Sequence, residues 1–473
     1  MSLGSRRVVA GFTAYVVVLG ALAVYRWNIW SYGNDTGTFT QVVLNTFAGF
    51  RDEPEHASHF AVHWAPLLAV LYPFVALTHS GLALQIAQIV LIGASVFPFY
   101  AFLRRYADDG LASLIALLAL VYPALLSVAF TEFHEIAFYP VLVFALLWAL
   151  DAGAWRSAFV CGALLLLVRE EVLIVLIVFG AALVLMGLLG RRRTEPPRGL
   201  LFWEPRAPLA MLVAGTALML ASAATLGLYF GVVVTALGGW RPVHFYTYPF
   251  GRGPLALISA SFTRPLEVIS ALATFGRFTY LLEAFGPLLF LPLASRWLLL
   301  AAPGLLVDVL SSEPIAWRMG GHYSAIYAPW LLLAAADVLV RTARGRSPVR
   351  AVRALRGAFT VCALVYLFFD PLHPAHYLQP PYADRADAVR AFAIVPAGAT
   401  VDTHDEWFSR VVGTHPYANH NWHDAEYAVF AADFRSAYFK NVVQPKIRDA
   451  LASGRYRIIA RYGNVFVYKR ARA

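Results

Sequence analysis

Long apolar runs separated by short polar stretches dominate the first 369 residues. The first extends from Val8 to Tyr25, behind Arg6 and Arg7. No small-x-small cleavage site follows it, so it reads as an uncleaved span and not as a removed signal peptide. A span needs about 20 apolar residues. Ten further candidates follow, near 82–103, 111–128, 137–150, 157–168, 172–190, 208–237, 278–294, 297–310, 323–340 and 355–369. The pattern changes at 370, beyond which no run reaches membrane length. There Asp384–Ile394 and Ser436–Ser453 read as helices, the second ended by Gly454. Gly398–Asp402 and Ala425–Phe430 read as strands, and Arg457–Ala460 with Val465–Lys469 alternate around Gly463-Asn464 as a hairpin. The expected fold is an all-α polytopic membrane domain of about 11 transmembrane helices over 1–369, followed by a small α/β domain over 370–473.

Two stretches fit this scheme only after a choice. His63–Leu77 (HWAPLLAVLYPFVAL) is short and carries Pro66 and Pro73. Read as a span, it would put Arg104 and Arg105 outside, so it is expected to lie in the outer interface. It then belongs to a long first external loop over 26–81. Residues 157–190 carry Arg169, Glu170 and Glu171 at their middle. As one helix they would measure about 51 Å, against a hydrocarbon core of about 30 Å. A hairpin with VREEV at its outer tip keeps Arg156 and Arg191 on one side, although no Gly or Pro marks the turn.

Composition supports the membrane class. Apolar residues make up 59% and charged residues 14%, and the mean hydropathy is +0.62. Soluble domains carry about 25% charged residues, so a soluble enzyme, a disordered chain and a disulfide scaffold are all disfavoured. Helices satisfy their own backbone in lipid. The net charge of +10 suggests an acidic partner at first sight. It comes from arginine, since the three lysines, Lys440, Lys446 and Lys469, all lie past 439. With the N-terminus inside, 17 arginines fall in inner pieces and 8 in outer loops of the membrane domain. That is the positive-inside bias, and no nucleic acid is expected. An odd number of spans then leaves the α/β domain outside. Cys161 and Cys362 sit in apolar runs and form no CxxC motif. The arginine-, alanine- and leucine-rich usage suggests a bacterial source.

Charges that hydropathy does not explain usually mark function in membrane proteins. Asp35 lies in the turn Tyr32–Gln41 just after the first span, with Gln41 six residues on. Two readings stand for it: a general base or metal ligand, or the N-cap of a helix over 36–47. His56, His59 and His63 are spaced to share one helical face, as metal ligands or as polar histidines facing water. Glu132-Phe133-His134-Glu135 falls between the third and fourth spans. Arg169-Glu170-Glu171 would either form a structural ion pair or bind phosphate through the guanidinium. Gly321-His322-Tyr323-Ser324, entering the tenth span, is a weaker candidate, as are His404-Asp405-Glu406 and His420-x-x-His423 as ligand sets.

The runs NDTGTFTQVVLNTFAGF, HWAPLLAVLYPFVAL, EFHEIAFYPVLVFALL, REEVLIVLIVFGAALVL and GHYSAIYAPWLLLAA, in this order, resemble a bacterial membrane-protein family, domain of unknown function 2079. The likeness extends to AIVPAGATVDTHDEWFSRVVG and RYRIIARYGNVFVYKR. That family is similar in layout to the C-type (GT-C) glycosyltransferases, which take a sugar from a polyprenyl-phosphate carrier on the non-cytoplasmic side. The resemblance implies a location in the bacterial inner membrane. It places Asp35 at the acidic position after the first span, and His134 and Glu135 at the acidic motif of the next external loop. His63 stands where the family has a His before the interfacial helix. Arg169-Glu170-Glu171 stands where the family has Lys-Glu-Asp. His322 replaces a residue that varies among relatives.

The expected function is transfer of a sugar from a polyprenyl-phosphate donor to an envelope acceptor on the outer face. Asp35 is the expected base. His59, His63, His134, Glu135, Arg169, Glu170 and Glu171 are candidates for the donor phosphate or for a divalent metal ion (Mg or Mn). Gln41, His322 and Tyr323 are weaker members. The expected partners are membrane lipid and the lipid-linked sugar. Two other classes fit the same charges: a transporter or flippase of a lipid-linked intermediate, and a non-catalytic envelope scaffold.

Overall fold

The computed structural model describes residues 1–239, 247–345, 347–369, 372–434 and 436–471. Arg241 and Arg346, both counted above, and the boundary residue Asp370 lie outside the described residues.

Six helices are long and apolar enough to cross a membrane: Leu3–Asn28, Leu82–Leu103, Glu135–Ala152, Glu170–Gly190, Pro208–Ala236 and Pro348–Phe368. Two bent pairs pass the same test together, Asp109–Val121 with Pro123–Phe130 at 47°, and Pro265–Leu272 with Phe275–Leu288 at 74°. Pro123 accounts for the first bend, because it has no N–H to carry the helix ladder forward. The described residues thus hold six to eight candidate spans, fewer than the 11 expected. The difference has local causes. Trp155–Leu165 and Leu298–Leu310 have only 11 and 13 residues. Ala328–Gly345 carries Asp337, Arg341 and Arg344 on its last turns.

The stretch 157–190 does break, but a tertiary contact makes the break. Helix Trp155–Leu165 ends, Arg169 is extended, and Glu170–Gly190 begins. The carbonyls freed at Leu166 and Leu167 accept bonds from the Trp64 indole N–H (2.7 Å) and the Leu67 N–H (3.0 Å). The two arms then part instead of forming a closed hairpin. The first packs on Tyr139–Ala152 and the second runs along Pro208–Leu228. That second contact is a small-residue seam. A Cβ on Gly180 would lie 2.7 Å from the Gly215 carbonyl, and one on Gly215 would lie 2.6 Å from the Gly180 carbonyl. Only small residues allow such close approach of helices in lipid.

Pro66–Thr78 is a short apolar helical segment that presents Val70, Phe74 and Leu77 outward. It follows the His-rich stretch, which is not a single helix. Residues 51–58 form a tight antiparallel bridge, Arg51 opposite Ser58 and Asp52 opposite Ala57, and His59–Ala61 is one 3-10 turn. The shared helical face expected for His56, His59 and His63 therefore does not exist. His56 has φ 51° and faces His423 at 5.7 Å.

Beyond the membrane-length helices, five strands form one sheet: β1 (Val401–Thr403), β2 (Ala418–His420), β3 (Tyr427–Ala431), β4 (Tyr456–Tyr462) and β5 (Val465–Arg470). The order is β2-β1-β3-β5-β4, parallel around β1 and antiparallel from β3 onward. Helices Arg385–Ala393, Asp405–Val411 and Gln444–Ala452 accompany it. Strand β2 and the helix Asp405–Val411 were not anticipated. The buried cluster of this unit includes Trp30 from the end of the first helix, which ties it to the membrane part. Phe408 sits on Gly37, where a Cβ would lie 2.5 Å from its ring.

Candidate functional site

The site grows from the helix Asn34–Leu44, which follows the first membrane-length helix. Gly33 occupies its N-cap position, so the capping role considered for Asp35 falls to another chain segment. The Glu132 carboxylate accepts the Gly33 and Thr36 N–H groups at 2.8 Å each. Its two oxygens thus satisfy N–H groups that a helix N-terminus leaves open. Burial pushes the Glu132 carboxyl up to about 7, and the nearby Asp35 charge acts in the same direction.

Asp35, in the first turn, is turned toward His134, with Oδ2 3.4 Å from Nε2. Its side chain keeps 46% of its surface open while protein atoms surround it closely, as expected of a group lining a cavity. Burial raises its carboxyl, but the contact with His134 and its charge outweigh that and hold it below the ordinary range. His134 shifts the other way. Burial lowers it, and Asp35 and Glu135 more than offset this. The pair is therefore a carboxylate facing an imidazolium. His322 stacks on His134 with centroids 3.4 Å apart, and Tyr323 lies 4.0 Å from His322. Burial and the His134 charge push His322 well down, so it stays neutral.

A second group of charges adjoins the first. Arg169 is buried, with Nε 3.3 Å from Glu135 and 2.9 Å from Glu171. Its guanidinium also lies 3.2 Å from His63 Nε2. His63 Nδ1 meets Glu170 at 2.7 Å, and the other Glu170 oxygen accepts the Trp64 N–H at 2.9 Å. Asp35, His134, Glu135, Arg169, Glu171, His63, Glu170, His322 and Tyr323 therefore form one contiguous wall. A narrow cleft of about 20 Å³ opens beside Arg169, Glu171, Asp308, His322 and Tyr323, over Val175 and Val307. That is room for about one water. A larger apolar groove of about 850 Å³ runs along the first helix, between Tyr15, Leu22, Leu120, Phe130, Phe359 and Tyr366.

Two expected members stand elsewhere. Gln41 ties two segments together, donating to the carbonyls of Pro416 and Ala418 and accepting the Glu53 N–H. His59 is separated from His134 by the Phe39 ring, 5.2 Å from one and 5.3 Å from the other. The divalent-metal expectation also shifts. Glu135 is paired with Arg169 and Asp35 with His134. Among the described residues, the set bringing three ligand atoms within 4.8 Å of one another is Asp52, Glu55 and His59. Sequence reasoning missed Asp52, Glu55 and the capping role of Glu132. It also missed Asp308 beside the cleft, although an acid inside an apolar run was signal enough.

Known structures share this architecture. The crystal structure of ArnT from Cupriavidus metallidurans bound to undecaprenyl phosphate aligns with a TM-score of 0.53 at 13% identity, covering 98% of this chain and 99% of that one. ArnT in the apo state aligns with a TM-score of 0.52 at 14% identity, over 96% and 98%. These structural neighbours are GT-C glycosyltransferases, and the likeness at this identity is one of fold. No curated protein matches the chain in sequence. Residues 26–464 match the family described as predicted membrane protein (DUF2079), and the chain belongs to that family.

Proposed function

We propose that this protein is an integral-membrane glycosyltransferase that moves a sugar from a polyprenyl-phosphate donor to a cell-envelope acceptor on the outer face of the bacterial inner membrane. The observation that carries the reading is Asp35: an open, ionised carboxylate facing His134, in one wall with the buried cation Arg169. Asp35 takes the proton of the acceptor hydroxyl as its oxygen attacks the anomeric carbon. The bond from that carbon to the phosphate oxygen breaks, and the lipid phosphate leaves. Arg169, the buried cation of this wall, would receive the leaving phosphate by charge-assisted hydrogen bonds. The groups around Asp35 are paired with one another and do not converge on one point. The apolar groove beside the first helix suits a lipid chain.

The same reading completes the membrane layout. Trp155–Leu165, Leu298–Leu310 and Ala328–Gly345 would bring the spans to 11, with the N-terminus inside and the sheet unit outside. Arg193, Arg198, Arg296 and Arg341, all of the inner tally, line one pocket with Glu204 and Asp337 and so lie on one side of the bundle; assigning that side to the inside rests on the positive-inside bias. The test is Asp35→Asn in the producing cell, with lipid-linked sugars and envelope glycans followed by mass spectrometry. Accumulated donor and a missing glycan are expected. Unchanged glycans beside a folded variant, or transport in proteoliposomes without bond cleavage, would overturn the proposal.

A further inference from the structure

Beside the wall that holds Asp35, the chain after the first helix gathers a second polar cluster around His59, with carboxylates that the histidine spacing did not point to. We propose that Asp52, Glu55 and His59 bind a divalent transition-metal ion of the zinc or manganese type, through one oxygen of each carboxylate and one imidazole nitrogen. The site is independent of the glycosyltransferase reading.

The geometry is that of ligands arranged around a point. His59 Nδ1 lies 4.0 Å from Asp52 Oδ2 and 3.9 Å from Glu55 Oε1. These separations are too long for hydrogen bonds. They suit donors that each stand about 2.0–2.3 Å from a shared ion. The side chains of His59 and Asp52 are 5% and 0% exposed, and that of Glu55 is 23% exposed.

A second observation points to a ligand. Both ring nitrogens of His59 are buried without a hydrogen-bond partner, and so is Asp52 Oδ2. An imidazole always carries at least one N–H donor, and buried polar atoms are paired in the great majority of cases. Here the orphaned atoms of two residues face each other. A cation between them would satisfy both at once.

The pocket is also built in advance. Asp52 Oδ1 accepts the Glu55 N–H at 2.8 Å, which leaves Oδ2 directed at His59. The His59 N–H bonds to the Phe50 carbonyl at 2.8 Å, fixing the start of its turn. Gln41 holds the Glu53 N–H, and Asn419 of strand β2 holds the Glu53 carbonyl. The loop is thus clamped from the membrane part and from the sheet unit. The donor types select the ion. An imidazole argues against magnesium and calcium, which prefer all-oxygen shells, and two carboxylates argue against soft copper(I). The ion would hold the loop that leads into His63 and Trp64, one aromatic ring behind His134.

The test uses full-length protein in detergent, stripped with a chelator, loaded with Zn²⁺ or Mn²⁺ and desalted, with bound metal read by inductively coupled plasma mass spectrometry. Wild type is expected to retain about one equivalent, and Asp52→Asn and His59→Ala less than about a fifth of that, since ligand loss removes most metal affinity. Asp35→Asn should keep the wild-type content. A wild type that holds no metal, Asp52 and His59 variants that keep it, or loss confined to Asp35→Asn would each overturn the proposal. If the ligand variants fail to run as a single species, zinc X-ray absorption on wild type decides. One imidazole among oxygen donors is expected, and an all-oxygen shell would refute the site.

Discussion

Replacing Glu132 by Gln tests how the segment after the first membrane-length helix is held. In the folded protein the carboxyl caps Asn34–Leu44 through Gly33 and Thr36, and burial with the neighbouring Asp35 charge pushes it up to about 7 from an ordinary 4.5. Between those two values the folded protein keeps a proton that the unfolded chain has released. The stability contributed is therefore complete below about pH 4.5 and is lost as the pH rises through about 7. The displacement corresponds to about 3 kcal/mol. Glutamine cannot ionise and resembles the protonated acid, so Glu132→Gln should lack this loss. The assay is thermal unfolding of the full-length protein in detergent by tryptophan fluorescence, at one scan rate, from pH 4.5 to 7.5. Asp52 also loses stability on the alkaline side, but it does so in both proteins and cancels in the difference. Wild type should fall by a few degrees relative to Glu132→Gln across the window. A constant difference between the two proteins would refute the argument.

Four other outcomes follow from the same contacts. Asp35→Asn should cut sugar transfer about 10²–10⁴-fold with little change in melting temperature, since the side chain is half open; a membrane assay with lipid-linked donor would show it. Glu170→Ala removes the partner of His63 and the acceptor for Trp64 and should destabilise by about 3–5 kcal/mol, whereas Glu170→Gln, which can still accept the Trp64 N–H, should lose less in the same melting assay. Gly215→Leu overpacks the seam with Gly180 and should cost about 1–3 kcal/mol or more, seen as early loss of the monodisperse peak on heating. Gly37→Val should displace Phe408 and loosen the sheet unit, so that limited chymotrypsin, cutting after Tyr382, releases a fragment beginning at Ala383 faster than in wild type.

The membrane class and most helix positions were legible because they depend on run length alone: a segment must be apolar over the thickness of the hydrocarbon core. The candidate charges were legible for the complementary reason, that a charge beside an apolar run is too costly to be accidental. Asp35, His134, Glu135, Arg169 and Glu170 were named on that ground, and the structure gathers them in one wall. Asp52 and Glu55 looked like loop carboxylates, and His56, His59 and His63 looked like a helical face, because spacing rules assume a helix that the bridge at 51–58 replaces.

The chain by itself determined that these residues would sit at apolar boundaries, since hydropathy is a property of neighbours in sequence. Only the tertiary structure decided which of them meet. His63 reaches Glu170 across 107 positions, Glu132 caps a helix 99 residues earlier, and Trp64 holds open a helix break that no Gly or Pro announces. Each contact joins segments that are far apart in the chain, and its strength comes from burial. Burial exists only after the helices have packed, so no local pattern could carry it.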